Sequence, residues 1–226
     1  MVVSKPAPLI MHPTGKKDEI TLLGLLQRER PEEEFYLVNR LDRETSGCVL
    51  VATSKGVARQ LGKAVARREV RKGYSAVVHG WPGWDEFRVD EPLRRQGEFS
   101  ESEIWVRQAV HEDGKGSVTS FKVRKRWRNR LGRFALVDCQ PETGRTHQIR
   151  VHLKWTGHGI VGDKIYAGDG SEYLDFLREG WSAGLERRLL LDRQALHAES
   201  LSFSWEGETV EVTSPLPEEL ESFCIA

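Results

Sequence analysis

The strongest constraint on the fold is a change of hydrophobic period at a single point. Cys48 to Ala52 is an unbroken apolar run between Gly47 and the Thr53-Ser54 pair, and a short apolar run closed by turn formers suits a buried strand. Directly behind it the spacing lengthens. Val57, Leu61, Ala64 and Val65 recur at helical intervals between Lys55 and Arg68, with basic residues on the other side, as in an amphipathic helix. Thr53 or Ser54 is the expected N-cap, because a hydroxyl there can accept a first-turn backbone N–H. A buried strand that runs straight into such a helix calls for a sheet with helices packed on it.

The remaining segments extend that pattern. Val2 to His12 reads as an extended lead-in followed by a loop through Pro13, Thr14 and Gly15, and Thr21 to Arg28 as a short helix. Tyr74 to Val78 is strand-like and stops at Gly80-Trp81-Pro82-Gly83. Val118 to Trp127 and Phe134 to Cys139 flank Asn129-Arg130-Leu131-Gly132 as a hairpin. Thr146 to Trp155 reads as a helix, Tyr173 to Arg188 as an irregular helical insertion, and Leu196 to Trp205 with Glu208 to Thr213 as a closing hairpin. Strands and helices alternate without a strict β-α-β rhythm. The expectation is therefore one α+β domain over 1–226, with a mixed or largely antiparallel sheet and flanking helices.

Composition narrows the class. Lys plus Arg and Asp plus Glu both number 34, so the chain lacks the basic excess of a protein that coats nucleic acid indiscriminately. The charge is unevenly spread: Glu32-Glu33-Glu34 and the Glu218 to Glu221 stretch are acidic, whereas Lys122 to Arg133 holds seven Lys or Arg and no acid. On an ideal strand Phe121, Val123 and Trp127 face one way, and Lys122, Arg124, Arg126 and Arg128 the other. That basic row is either a solvated face or an RNA-contacting one. Cys48, Cys139 and Cys224 are too few and too dispersed for a disulfide framework, and read as small buried residues. No apolar run is long enough for a membrane span and no export signal is evident, which leads to the cytoplasm as the expected location.

Two segments carry chemistry. Asn39-Arg40-Leu41-Asp42-Arg43-Glu44-Thr45-Ser46-Gly47 sets a carboxylate between two arginines just before the buried strand; alone, such an Asp reads equally as a turn former. Thr143-Gly144-Arg145-Thr146-His147-Gln148-Ile149-Arg150-Val151-His152 puts arginines and histidines where a glycine turn enters a helix, a position that favours anions. Together they resemble the two signature motifs of the RluA-type pseudouridine synthases. The resemblance continues in Lys5-Pro6, in Lys72-Gly73-Tyr74, in Gly162-Asp163-Lys164-Ile165-Tyr166 and in Leu196-His197-Ala198. Asn39 stands where that family usually has His, and Pro8 where a Gly is common.

The resemblance implies a cofactor-free, metal-free isomerisation of uridine in ribosomal or transfer RNA, in a central RNA cleft, by a monomer without the family's optional S4 domain. It implies Asp42 as the essential carboxylate and Tyr74 as the residue that stacks on uracil. Arg150 is the expected cation, paired with Asp42 on a pocket floor with Tyr74 on its wall, because a carboxylate that works ionised in a dry site needs a fixed opposite charge. Arg40, Arg43, Arg145, His147, Lys122, Arg124 and Arg126 are the expected RNA contacts, Arg40 filling the space of an extruded base. Two readings compete. A hydrolase using Asp42 with Glu44 is the weaker of them, and a metal site from His147, His152 and His158 has the wrong spacing for a helix face. The alternative from another class is a catalytically silent RNA-binding module.

Overall fold

The computed structural model describes residues 1–13 and 20–225. The expected loop residues Thr14 and Gly15 lie outside them. In chain order the strands are β1 (Val2–Lys5), β2 (Tyr36–Leu37), β3 (Ser46–Ala52), β4 (Arg71–His79), β5 (Glu86–Asp90), β6 (Leu93–Arg95), β7 (Gln108–Val110), β8 (Val118–Asn129), β9 (Gly132–Pro141), β10 (Leu196–Trp205) and β11 (Glu208–Thr213). The helices are α1 (Leu22–Glu29), α2 (Lys55–Ala66), α3 (Gln148–Trp155), α4 (Ser171–Glu179), α5 (Ala183–Leu189) and α6 (Glu218–Ile225). They fall into two compact units, one of Met1–Gly73 with His197–Leu216 and one of Tyr74–Leu196 with Pro217–Ala226.

In the first unit β3 is the central strand. It pairs antiparallel with β1 and β2 and parallel with β10, which in turn carries β11. The sheet is therefore mixed. Every residue of β3 is buried, as its unbroken apolar run requires. Cys48, Leu50 and Ala52 pack with Leu61 of α2, Val70, Leu201 and Phe203, each fully buried Leu or Phe contributing about 1.5–3 kcal/mol. Ser54 is the cap of α2, its hydroxyl accepting the Val57 N–H at 3.3 Å. Thr21 caps α1 in the same way, accepting from Gly24 at 3.0 Å. The β10–β11 hairpin closes on Glu206-Gly207, both at positive φ, the geometry of a two-residue primed turn.

The second unit has an antiparallel sheet in the order β4–β9–β8–β5, with β6 and β7 as a separate ribbon. The β8–β9 hairpin turns on Arg130-Leu131, with Asn129 opposite Gly132. One expectation about it is corrected. A β-bulge lies between Val123 and Lys125, and an extra residue reverses the facing of everything beyond it. Phe121 and Val123 lie opposite Cys139 and Val137, whereas Trp127 lies opposite Phe134, on the other face. Lys122 and Arg124 thus part from Arg126 and Arg128. Phe223 of α6 packs edge-on against Phe134 at 5.0 Å. The region read as an irregular helical insertion is two helices, α4 and α5, divided at Gly180 with φ 75°.

Gly47 decides whether β3 can lie against β10. Its φ is +109°, and a Cβ there would sit 2.2 Å from the Ala198 carbonyl oxygen. Gly47→Ala should therefore destabilise the protein by at least about 2 kcal/mol, from backbone strain and displacement of β10. Equilibrium urea unfolding reads this, and a midpoint equal to that of the parent would show that the close approach is dispensable.

Candidate active site

The Asp42 loop is held by its backbone. Lys5 is 1% exposed, and its Nζ donates to the carbonyls of Leu9 at 2.8 Å, Pro6 at 3.0 Å and Arg43 at 3.1 Å. The Arg43 carbonyl also accepts the Leu9 N–H at 2.9 Å. On the near side Val38 donates its N–H to Leu50, after which the side chain of Asn39 takes over the ladder, its Oδ1 accepting the Leu50 N–H at 2.7 Å. This frees the backbone to leave β3. A turn follows, with the Thr45 N–H on the Asp42 carbonyl at 3.1 Å. Ser46 then donates its hydroxyl to Nδ1 of His197 at 2.8 Å, while Nε2 of His197 donates to the Ser214 carbonyl at 2.9 Å. The Asp42 side chain is half-buried between buried Leu41 and buried Thr45, and Arg40 and Arg43 beside it are exposed.

The second motif is also built from side chains standing in for backbone. Gln148 Oε1 accepts from the Thr143 hydroxyl at 2.6 Å and from the Arg145 N–H at 3.0 Å. Its Nε2 donates to the Val118 carbonyl at 2.8 Å and to Thr119 Oγ1 at 3.0 Å. The turn carrying Arg145 is thereby tied to β8. His147 follows in the left-handed region, φ 55°, and Arg145 itself is exposed. His152 is fully buried. Its Nδ1 lies 2.8 Å from the Thr119 hydroxyl and its Nε2 donates to the Glu91 carbonyl at 3.0 Å.

Arg150 is buried, and its bidentate partner is Asp163, with Nε on Oδ2 at 2.7 Å and Nη2 on Oδ1 at 2.8 Å. Asp163 Oδ1 also accepts the N–H groups of Ile165 and Tyr166. The Tyr166 ring lies 5.0 Å from the guanidinium carbon. Its hydroxyl accepts the Gln108 N–H at 2.9 Å and donates to His147 Nδ1 at 2.8 Å. Asp163, Tyr166, Gln148 and Lys5 stood inside quoted motifs without a role; a buried charge or amide far from its partner in sequence leaves no periodic trace. Tyr74 is half-buried on β4 opposite Cys139. Lys72, two residues before it, stood in the same quoted motif without a role, and burial lowers its ammonium below the usual lysine range.

Three members of the expected basic row have partners within the chain. Lys122 pairs with Glu86 at 2.8 Å, Arg124 with Asp138, and Arg126 with Asp85 at 2.8 Å and with the Pro82 and Trp84 carbonyls. His147, His152 and His158 have separate partners, and among the described residues no group of three or more His, Cys, Asp or Glu is placed to hold a metal. Cys48, Cys139 and Cys224 are free and buried.

A sequence model described as RNA pseudouridylate synthase matches residues 1–155. The chain belongs to that family. It is 34% identical over 229 residues to the uncharacterised RNA pseudouridine synthase YlyB of Bacillus subtilis, covering 97% of this chain and 67% of the relative. Ribosomal large subunit pseudouridine synthase C of Escherichia coli K12 is 37% identical, with 98% of this chain and 65% of the relative covered. The chain thus spans about two thirds of the length of the curated relatives it matches. The structure of human RNA pseudouridylate synthase domain containing 1 superposes with a TM-score of 0.71 at 26% identity, over 95% of this chain and 78% of that one. By family, then, the chain is an RNA pseudouridine synthase, and the α+β class with a mixed sheet and flanking helices agrees with this relative.

Two outcomes follow. Asp163→Ala removes the bidentate partner of a buried guanidinium and should cost about 3–5 kcal/mol, only part of it recovered in Arg150→Met with Asp163→Leu, which still lacks the acceptor for the Ile165 and Tyr166 N–H groups. Urea unfolding of the set tests this, and a parent-like single variant would show that the pair carries no weight. For His152, burial pushes the imidazole below its ordinary value, against smaller upward pulls from the Glu91 carbonyl and Asp90. The unfolded chain then binds the proton more readily, so stability should fall as pH drops from about 6.5 toward the lowered folded value. His152→Gln should flatten that slope in urea midpoints taken across the range. An unchanged slope would assign it to other groups.

Proposed function

We propose that the chain, acting as one catalytic domain over 1–226, isomerises specific uridines in structured RNA to pseudouridine, with Asp42 as the essential carboxylate. Ribosomal RNA is the first candidate substrate, because the E. coli relative is named for the large ribosomal subunit. The observation that carries the reading is the Asp42 loop itself. A half-buried carboxylate is set between exposed arginines on a backbone fixed by a buried ammonium and by the Asn39 amide. That is a preorganised charge on an otherwise rigid strand exit.

The reaction cleaves N1 from C1′, turns the uracil and joins C5 to C1′, after which the C5 hydrogen leaves as a proton and N1 takes one up, so it consumes no redox equivalent and needs no metal. Asp42 acts toward the sugar or the base, and Tyr74 stacks on the uracil. Arg150, its plane fixed by Asp163, is the cation we assign to the reaction. The target nucleotide is extruded from its stack, at a cost of a few kcal/mol, and Arg40 takes the vacated space. We further propose that the protein works as a monomer in the cytoplasm; among the described residues no helix is long and apolar enough to cross a membrane.

Tritium release from RNA labelled at uridine C5 is the test. The parent protein should release label from ribosomal RNA, Asp42→Asn and Asp42→Ala should release none, and both should bind RNA within roughly tenfold of the parent, since affinity rests mainly on phosphate contacts. Release by either variant would remove Asp42 from its role. No release by the parent from ribosomal or transfer RNA would favour the catalytically silent RNA-binding module.

A further inference from the structure

A second surface of the second unit carries the chemistry of a strand-binding site. The β6–β7 ribbon is anchored by Leu93 and Ile104, which pack with Val151, Ile165 and Tyr166. Next to buried Ile104 the chain presents Trp105 at 74% exposure, the guanidinium carbon of Arg95 lying 3.8 Å from the centre of its ring. An indole at that exposure contributes little to the core. Arg95 also lines a cavity of about 620 Å³, together with Arg94, Lys115, Arg145, Glu98 and Asp113. The acids are engaged by the two ribbon arginines: Glu98 lies 3.4 Å from Arg94 and 3.3 Å from Arg95, and Asp113 3.5 Å from Arg94. Lys115 is exposed, and Arg145, whose Nε donates to the Gly116 carbonyl at 3.2 Å, is fixed by the Gln148 clamp on its backbone. Four cations against two acids leave the cavity with a positive surplus beside an aromatic face.

We propose that this surface binds a single-stranded segment of the RNA flanking the target uridine, one base stacking on Trp105 and its backbone phosphate received by Lys115 and Arg145. Exposed aromatics supply sequence-tolerant stacking and cations track the phosphates, the combination by which proteins hold unpaired nucleic acid. The cavity lies within the usual span of about 300–1,000 Å³ for compact ligand sites. Because Gly144, Arg145 and Thr146 line it and belong to the turn that opens α3, strand capture here would be continuous with the second motif. The inference rests on the isomerase reading for its substrate, but not for its contacts.

The experiment measures binding of a short single-stranded oligouridylate and of a blunt RNA duplex of equal length, using Asp42→Asn protein so that turnover plays no part. Trp105→Ala should weaken oligouridylate binding about 5- to 100-fold and leave duplex binding unchanged, while Trp105→Phe retains most of the affinity. Lys115→Gln should lower the salt slope for the oligouridylate by about 0.7. Both side chains are exposed, so the variants should keep the parent's urea midpoint. Equal oligouridylate affinity in Trp105→Ala and parent, or equal loss on the duplex, would overturn the proposal. Absent tritium release with these binding effects intact would instead overturn the isomerase reading alone.

Discussion

A buried ammonium must find oxygen on every side or lose its charge, and Lys5 finds it in three backbone carbonyls. Among them is the carbonyl of Arg43, the residue after Asp42. The lysine therefore helps to fix the position of the loop, and its own strand is set by pairing with β3. Because β3 also receives β10, with Gly47 against Ala198, the loop's entry and exit are referenced to one strand. The loop in this unit is held by side chains bonded to its backbone, with the Asp42 side chain left half-exposed.

The second unit uses the same device with other residues. Gln148 supplies both an acceptor and a donor to neighbouring segments, so the turn before α3 needs no regular hydrogen bonding of its own. Asp163 binds two backbone N–H groups and a guanidinium together, which makes the turn after α3 and the central arginine of α3 a single rigid piece. Tyr166 extends that piece to β7 and to His147. Buried polar groups of this kind cost free energy unless every partner is present, and here the partners come from separate motifs. This accounts for the appearance of several polar signatures together in one chain.

Hydrophobic period was readable where packing alone sets the structure. Leu196–Trp205 and Glu208–Thr213 match β10 and β11, and the Ser54 cap begins α2 as its hydroxyl suggested. The period failed where one residue is inserted. The bulge beside Arg124 has no composition of its own, so a strict alternation carried through it put Trp127 on the wrong face. Strands β5 to β7 went unread because each is short and half-exposed. In α6 the acidic first turn masked the Leu220, Phe223 and Cys224 spacing, although acid at a helix N-terminus is favourable. The motifs supplied Asp42, Tyr74 and Arg150 as expected site residues but gave no sign of the fork on Asp163, whose partner lies thirteen residues away across a turn.

Asn39 has a consequence for the range of conditions over which the loop is held. An imidazole at this position could take the Leu50 N–H only on an unprotonated nitrogen, so its grip would come and go with acidity. A carboxamide carries no ionisable proton in water, and its oxygen accepts the Leu50 N–H whatever the acidity. The strand exit that leads to Asp42 is thereby insulated from the proton concentration around it, and any acid sensitivity of this region has to originate in some other group.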